Sequence, residues 1–417
     1  MRWAFNDRPG SGRGWMVGGR GMGGPAARDG RQRTPALALV LTALLVLSGV
    51  WGCAEDRAQE TGTRAVPGAP AAVAPEPLAA VGEVPGDTLH EFHQVTTPFA
   101  LPDGRIVVPL RGMGVVRVFS GEGEFLETLG RPGQGPGEFS WIGSAWPRGD
   151  TVEVSDSRSR RVTRFLPDGS VRTVPLEPGP PAEAAVPGTF GDGWAVVGIV
   201  RVDREGRDQM ALHHFAGTGE HLWELARVEG YVRYTFPGGG SPIPLSPRAQ
   251  YAVHGDRLFL GQTLEPALQV IDTAGEVVDR IVWEPEAALD PAQAQRLVAD
   301  SAHLQWVGEE EAHRARIREA PLPPRAPAYS TLLVDSEGFL WIRPWEPLIH
   351  ATDVGGLARV GPGGTWRILS PGGEDLGTVE LPPELEPSWI GPDRVVGVRR
   401  DAYDVESVRV HELRRHR

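Results

Sequence analysis

The sequence predicts an all-β fold, a six-bladed β-propeller of four-stranded antiparallel blades, and three observations predict it. One turn-and-strand unit recurs from Asp87 onward, 54 Gly and 39 Pro punctuate short apolar runs, and a lone strand precedes the first complete unit. A length of 417 residues would admit two or three domains, but all-β rings run this long as one. Thirteen Trp supply large side chains for a sizeable core.

The clearest copy of the unit reads Leu101-Pro102-Asp103-Gly104-Arg105-Ile106-Val107-Val108, then Val115-Val116-Arg117-Val118-Phe119, then a turn at Gly121-Glu122-Gly123. A second copy runs Thr151–Asp156, Arg161–Phe165 and a turn at Asp168-Gly169. Fainter copies start at Gly191, Asp256, Ser336 and Pro392; the fifth continues to a strand at Leu357–Val360. Asp-Gly and Gly-Gly turns supply the positive φ that tight hairpins require. Alternation such as Val-Arg-Val-Phe places apolar groups on one face at period two. A single blade cannot bury both faces, whereas radial stacking of six buries them all. Thr88–Val95 reads as an N-terminal strand that completes the last blade and removes its free edge.

The segment Leu129-Gly130-Arg131-Pro132-Gly133-Gln134-Gly135-Pro136-Gly137-Glu138-Phe139 resembles the blade-linking loop of bacterial six-bladed β-propeller lipoproteins related to the NHL repeat. The Asp-Gly-Arg-Ile-Val-Val opening of the first unit and the Val-Ser-Asp…Arg-Val-Thr-Arg-Phe pattern of the second agree with it. The resemblance covers roughly residues 85–415 and implies the propeller fold. It does not imply one function, because related propellers include binding platforms, sensors and enzymes.

One insertion interrupts the strands at about residues 287–325, between blades four and five. Asp290-Pro291 supplies an N-cap and an N1 proline before Ala292–Val298, helix formers continue to Arg318, and Pro321-Leu322-Pro323-Pro324 ends the run. Glu310 and Arg314 are spaced to pair on one helix face. The expectation is one or two helices over a propeller face, as packing or as a lid.

Residues 1–53 read as a signal peptide. Arg28, Arg31 and Arg33 precede an apolar run over Pro35–Val50, and Gly52 stands directly before Cys53, the only cysteine. This resembles a lipobox, with Cys53 as the lipidated first residue of the mature chain, although Val50 and Trp51 depart from the usual pattern. The implied location is the cell envelope, lipid-anchored on the periplasmic or outer face of a bacterial membrane. Met22 offers an alternative start of more ordinary signal length. Residues 54–84, rich in Ala and Pro without periodicity, read as a flexible tether, which leaves 85–417 for the propeller.

Composition excludes several chemistries. All 42 basic residues are Arg, and the one Asn is Asn6, so no lysine Schiff base or Asn metal ligand is available after Cys53. Lactonase-type propellers hold a divalent metal with Glu, Asp and Asn, a pattern this chain breaks. Residues 1–52 carry seven Arg against two Asp, leaving a net −17 on the remainder of a chain at −12. An acidic surface disfavours a nucleic-acid partner. No nucleophile elbow, P-loop, EF-hand or HExxH motif occurs, and no cofactor is implied. Adjacent His213 and His214 face opposite sides of a strand, and His303 and His313 are out of phase for one ligand face, so no metal site is expected.

The remaining site candidates follow from propeller geometry, on loops after the strands nearest the channel. They are Arg111 in the first blade, Asp156, Arg160 and Arg161 in the second, and Arg343 with Trp345 in the fifth. Converging Arg and Asp could bind an anionic ligand or peptide; the same residues equally serve as turn and blade-to-blade pairs. Two functions follow: a non-enzymatic module binding protein, peptide or glycan, or a metal-dependent hydrolase or lyase with its site in the channel.

Overall fold

The computed structural model describes residues 70–416 apart from 83–85, 180–184, 192, 202–206, 237–238, 243–244, 286–288, 301–309, 348–362 and 402. Cys53 and the expected signal and lipobox therefore lie outside the described residues, as does the Leu357–Val360 strand.

Six antiparallel sheets follow one another along the chain, at residues 99–129, 142–175, 185–242, 249–282, 329–381 and 386–415. In the first five, each strand pairs with its chain neighbours from first to last; the sixth takes its outermost strand from the N-terminal side. The first strands of successive blades touch around a closed circle, which makes them the inner wall of a six-bladed β-propeller. Among the described residues, short polar side chains stitch that wall at four junctions. Ala145 N–H donates to Thr97 Oγ1 at 2.7 Å, Ser144 Oγ to Val186 O at 2.9 Å, Leu332 N–H to Gln250 Oε1 at 3.3 Å, and Ser388 Oγ to Pro98 O at 2.6 Å.

The apolar core lies between blades, as stacking requires. One cluster joins blades one and two through Phe99, Val107, Ile142 and Val154; another joins blades two and three through Val162, Trp194 and Phe215. Equivalent clusters fill the other four junctions, with Trp341 and Trp366 fully buried between blades five and six. Burial of this kind contributes about 25 cal/mol per Å² of apolar surface.

An N-terminal strand closes the ring as expected, but a different segment supplies it. The closing strand is β1, Ala71–Val81, which pairs with Glu406–Arg415 from Ala71↔Arg415 to Val81↔Val408. It lies inside the stretch 54–84 read as tether, so Ala71–Val81 belongs to the propeller, which begins well upstream of residue 85. Ala71, Val73, Ala79 and Val81 are buried, while Pro75 and Pro77 sit where the register shifts. Proline is tolerated on an edge strand because its missing N–H points away from the ladder. Thr88–Val95 is not a strand and forms only the isolated bridge Val95↔Leu110. The Arg117 guanidinium instead takes the Leu89 and Glu91 carbonyls, each at 2.8 Å, and binds the segment across blade one.

Two further differences are local. Blade three has five strands, because its long strand His221–Phe236 pairs with Gly239–Pro242. The third strand of blade five is Gly364–Leu369. The insertion holds two helices as expected, α1 (Pro291–Asp300) and α2 (Glu310–Glu319). Asp290 Oδ1 caps α1 by accepting from Ala292 and Gln293 N–H at 3.0 and 3.1 Å. Arg314 reaches Glu311 at 4.0 Å, while the Glu310 side chain of the expected pair lies outside the described residues.

Candidate functional site

Strands alternate in direction, so the loops between second and third strands emerge on the same end of the ring as the linkers between blades. All six sequence candidates lie on or beside this linker face. They cluster around the end of the second strand in blades one, two and five, one step out from the innermost strand expected to carry them.

Asp156 ends the second strand of blade two and is buried. Its Oδ1 accepts from Arg158 and Ser159 N–H at 3.1 and 3.0 Å, and its Oδ2 from Ser140 N–H at 2.8 Å. Its Oδ2 also lies 3.8 Å from Arg161 Nη2, so the carboxylate both orders the loop and pairs with a second candidate. Arg161 donates to the carbonyls of Gln134 and Glu138, both at 2.6 Å, and so folds the Gly-rich linker onto blade two. That linker needs Gly130, whose φ is +72° and where a Cβ would stand 2.4 Å from the Phe139 ring. Glu138 holds it from within: hydrogen bonds from Gly135 N–H and from Arg131 keep its carboxyl below the usual range. Arg160 is exposed and has a positive φ of 50°.

Trp345 packs with Leu245, Ala294, Val298 and Ala326 beneath α1. It is a seat for the insertion and not a channel residue. Gln295 Nε2 donates to Ala320 O at 2.8 Å and fastens α1 to the end of α2.

Arg111 and Arg343 belong to a larger assembly. Arg111 donates to Ile142 O at 2.7 Å and Gly143 O at 2.9 Å, and its guanidinium lies 5.4 Å from the Trp141 ring centre. Arg158 covers the same ring at 4.5 Å. Burial weakens the charged form of Arg111, and Glu406 opposes that. Glu406 Oε2 accepts from Val95 N–H at 2.7 Å, while its Oε1 accepts from Arg400 Nη2 at 2.8 Å. Arg400 also pairs with Glu386. Burial would lower the Arg400 pKa, but the two carboxylates outweigh it and the group titrates above its ordinary value. Arg343, fully buried, is depressed by burial and attracted by Glu346 and Glu386, with its guanidinium 5.9 Å from the Trp366 ring.

The result is an arc of alternating charge, Arg111–Glu406–Arg400–Glu386–Arg343, across blades one, six and five. Trp141 flanks it between two guanidinium groups, where cation–π attraction is worth about 0.5–2 kcal/mol per contact. Sequence reasoning found Arg111 and Arg343 but missed Arg400, Glu386, Glu406 and Trp141. A signal for Arg400 was present: Arg399-Arg400 follows Val395–Val398 as Arg111 follows Ile106–Leu110. The two glutamates carried none, because pairing between distant strands brings them together. Among the described residues no group of three or more His, Cys, Asp and Glu side chains could hold a metal ion. His213 Nδ1 stands 3.1 Å from His221 Nε2, while His214 lies on the other sheet face against Phe190 and Trp223.

Fold and site together define a six-bladed β-propeller with a charged, aromatic-flanked mouth. A putative exported protein from Bacteroides fragilis is 12% identical, with a TM-score of 0.44 over 78% of this chain and 92% of that one. A DUF4221-family member from Bacteroides vulgatus is 12% identical, with a TM-score of 0.43 over 81% and 97%. Virginiamycin B lyase from Staphylococcus aureus is 10% identical, with a TM-score of 0.37 over 76% and 95%. At such identities the likeness concerns the fold alone. No family model and no curated protein matches the chain. No helix among the described residues is long and apolar enough to cross a membrane.

Proposed function

We propose that the protein is a non-enzymatic binding module of the bacterial cell envelope, anchored through a lipid on Cys53, that takes a polar peptide segment of a protein partner at the linker-face mouth. The observation that carries this reading is the arc of three guanidinium groups interleaved with carboxylates, flanked by Trp141. Alternating charge of this kind complements the mixed donors and acceptors of a peptide, and an uncharged glycan would leave it unmatched. The basic run, apolar stretch and Gly52-Cys53 junction support the anchor. No residue set among those described favours the metal-dependent hydrolase or lyase alternative.

The test places a photo-crosslinking residue at exposed position 158 of the full chain in the membrane fraction. The expected result is one reproducible envelope protein, competed by a synthetic peptide of its crosslinked segment and lost in Trp141→Ala. Recovery of glycan alone, or of nothing reproducible, overturns the reading.

A further inference from the structure

The corner of the mouth between blades one and two holds more positive charge than it neutralises. Asp156 is matched by Arg161, and Glu138 by Arg131. Among the described residues, Arg111, Arg158 and Arg160 form no ion pair with a carboxylate. Glu406 attracts Arg111 from a distance, but its oxygens are taken by Val95 N–H and Arg400. Three unmatched guanidinium groups at one corner stand out in a chain whose residues after Gly52 carry a net −17.

These cations are held in place. Ser157 N–H donates to Trp141 O at 3.1 Å and Arg158 N–H to Asp156 Oδ1 at 3.1 Å, which fixes the hairpin to the linker before blade two. The guanidinium groups of Arg158 and Arg111 lie 4.5 and 5.4 Å from the centre of one ring, Trp141. They are therefore no more than about 10 Å apart, within one Debye length at ordinary salt, and repel each other. Arg111 spends Nε and one Nη2 hydrogen on the Ile142 and Gly143 carbonyls and keeps its other donors. The exposed Arg158 side chain donates to no described acceptor. Beside them the Ser157 hydroxyl stands against Gly143, where a Cβ would come within 2.4 Å of it.

We propose that this corner is a carboxylate site, which takes acidic side chains of the bound segment between Arg158 and Arg111 over Trp141. Arg160, on the same hairpin, adds to the attraction. The assignment rests on the reading of the mouth as a peptide site and gives that peptide a sign. A guanidinium fork matches a carboxylate bidentately, and a charge-assisted hydrogen bond is about twice as strong as a neutral one. Several unmatched cations suit a segment with more than one Asp or Glu, whereas a terminal carboxylate supplies a single charge.

Fluorescence anisotropy of dye-labelled, C-terminally amidated hexapeptides with the purified full chain tests this. The probes alternate Ser with Glu, with Gln or with Lys. The Glu peptide is expected to bind at least about tenfold more tightly than the Gln peptide, and less tightly as salt rises. Arg158→Glu should abolish that preference and make the Lys peptide the tighter ligand. Arg158→Ala should cost only several-fold, a loss that covalent capture at position 158 tolerates. Circular dichroism verifies the fold of both variants, and a structural role for Arg158 would not exchange one peptide for the other. Equal affinity for the Glu and Gln peptides, or a Glu preference that survives Arg158→Glu, overturns the carboxylate site and leaves the peptide reading standing. Tight binding of the Gln peptide only when its C-terminus is free overturns the side-chain assignment. Binding of no hexapeptide overturns both readings.

Discussion

Glu153 of blade two accepts a hydrogen bond from the indole N–H of Trp194 in blade three at 2.8 Å, through the oxygen that also accepts from Trp146 at 2.7 Å. The other carboxylate oxygen binds Arg148 Nε at 2.9 Å and Arg164 Nε at 2.7 Å. A fully buried carboxylate with four donors joins two blades at one point.

Removing that charge leaves two guanidinium groups without their shared counter-ion. Glu153→Gln is expected to destabilise the fold by about 3 kcal/mol. Thermal denaturation checks this, and a melting temperature within one degree of wild type would refute it.

Acid should weaken the fold through two histidines. His213 titrates below its ordinary 6.5 because of burial and then His221, with Arg227 adding and Glu224 opposing. His411 is lowered by burial and Arg409, against the Ala74 carbonyl and Glu76. The folded state therefore binds fewer protons than the unfolded chain. Their contribution is fully present above about pH 6.5 and is lost as pH falls through the lowered folded values. Urea denaturation between pH 7.5 and 5 should show this fall, and it should be shallower in the double variant His213→Gln, His411→Gln.

Truncation tests where the fold begins. Deleting residues 54–69 should leave the unfolding transition of the mature chain unchanged. Deletion through Val81 removes the strand paired with Glu406–Arg415 and should abolish cooperative unfolding. Limited proteolysis and calorimetry distinguish the two outcomes.

Arg161 controls the Gly-rich linker through two carbonyls. Arg161→Lys, with a single point charge in place of the planar fork, should leave that linker several-fold more sensitive to protease while the melting transition moves little. Cleavage mapped between residues 130 and 139 is the readout.

Cys53→Ala should release the protein from the membrane fraction, and metabolic labelling with a fatty acid should mark the wild type alone. Membrane retention of the unlabelled variant would exclude the anchor.

Much of the fold was legible because its signals are local. Turns at Asp103-Gly104 and Asp168-Gly169 lie where the sequence placed them, with Gly104 and Gly169 at φ of +91° and +79°. The closing strand was not legible, because an edge strand with one inward face needs only Ala71, Val73, Ala79 and Val81, and its prolines imitate a linker. The charged arc was half legible. Arg111 and Arg343 follow apolar runs that mark strand ends, while Glu386 and Glu406 acquire meaning only when separate strands meet at Arg400. Asp156 and Arg161 have the residue types of a binding site, yet their hydrogen bonds are spent within loops.

The contact that fastens the ring also fixes a timetable for its synthesis. His411 reaches the Ala74 carbonyl across 337 positions of sequence. The first strand of the domain to be made must therefore wait for nearly the last. At roughly 5–20 residues per second, that wait lasts on the order of 20–70 s. Until Glu406–Arg415 emerges, the growing chain is an open stack with two unpaired ends. The period of greatest exposure to aggregation and proteolysis thus lasts until Glu406–Arg415 has been made.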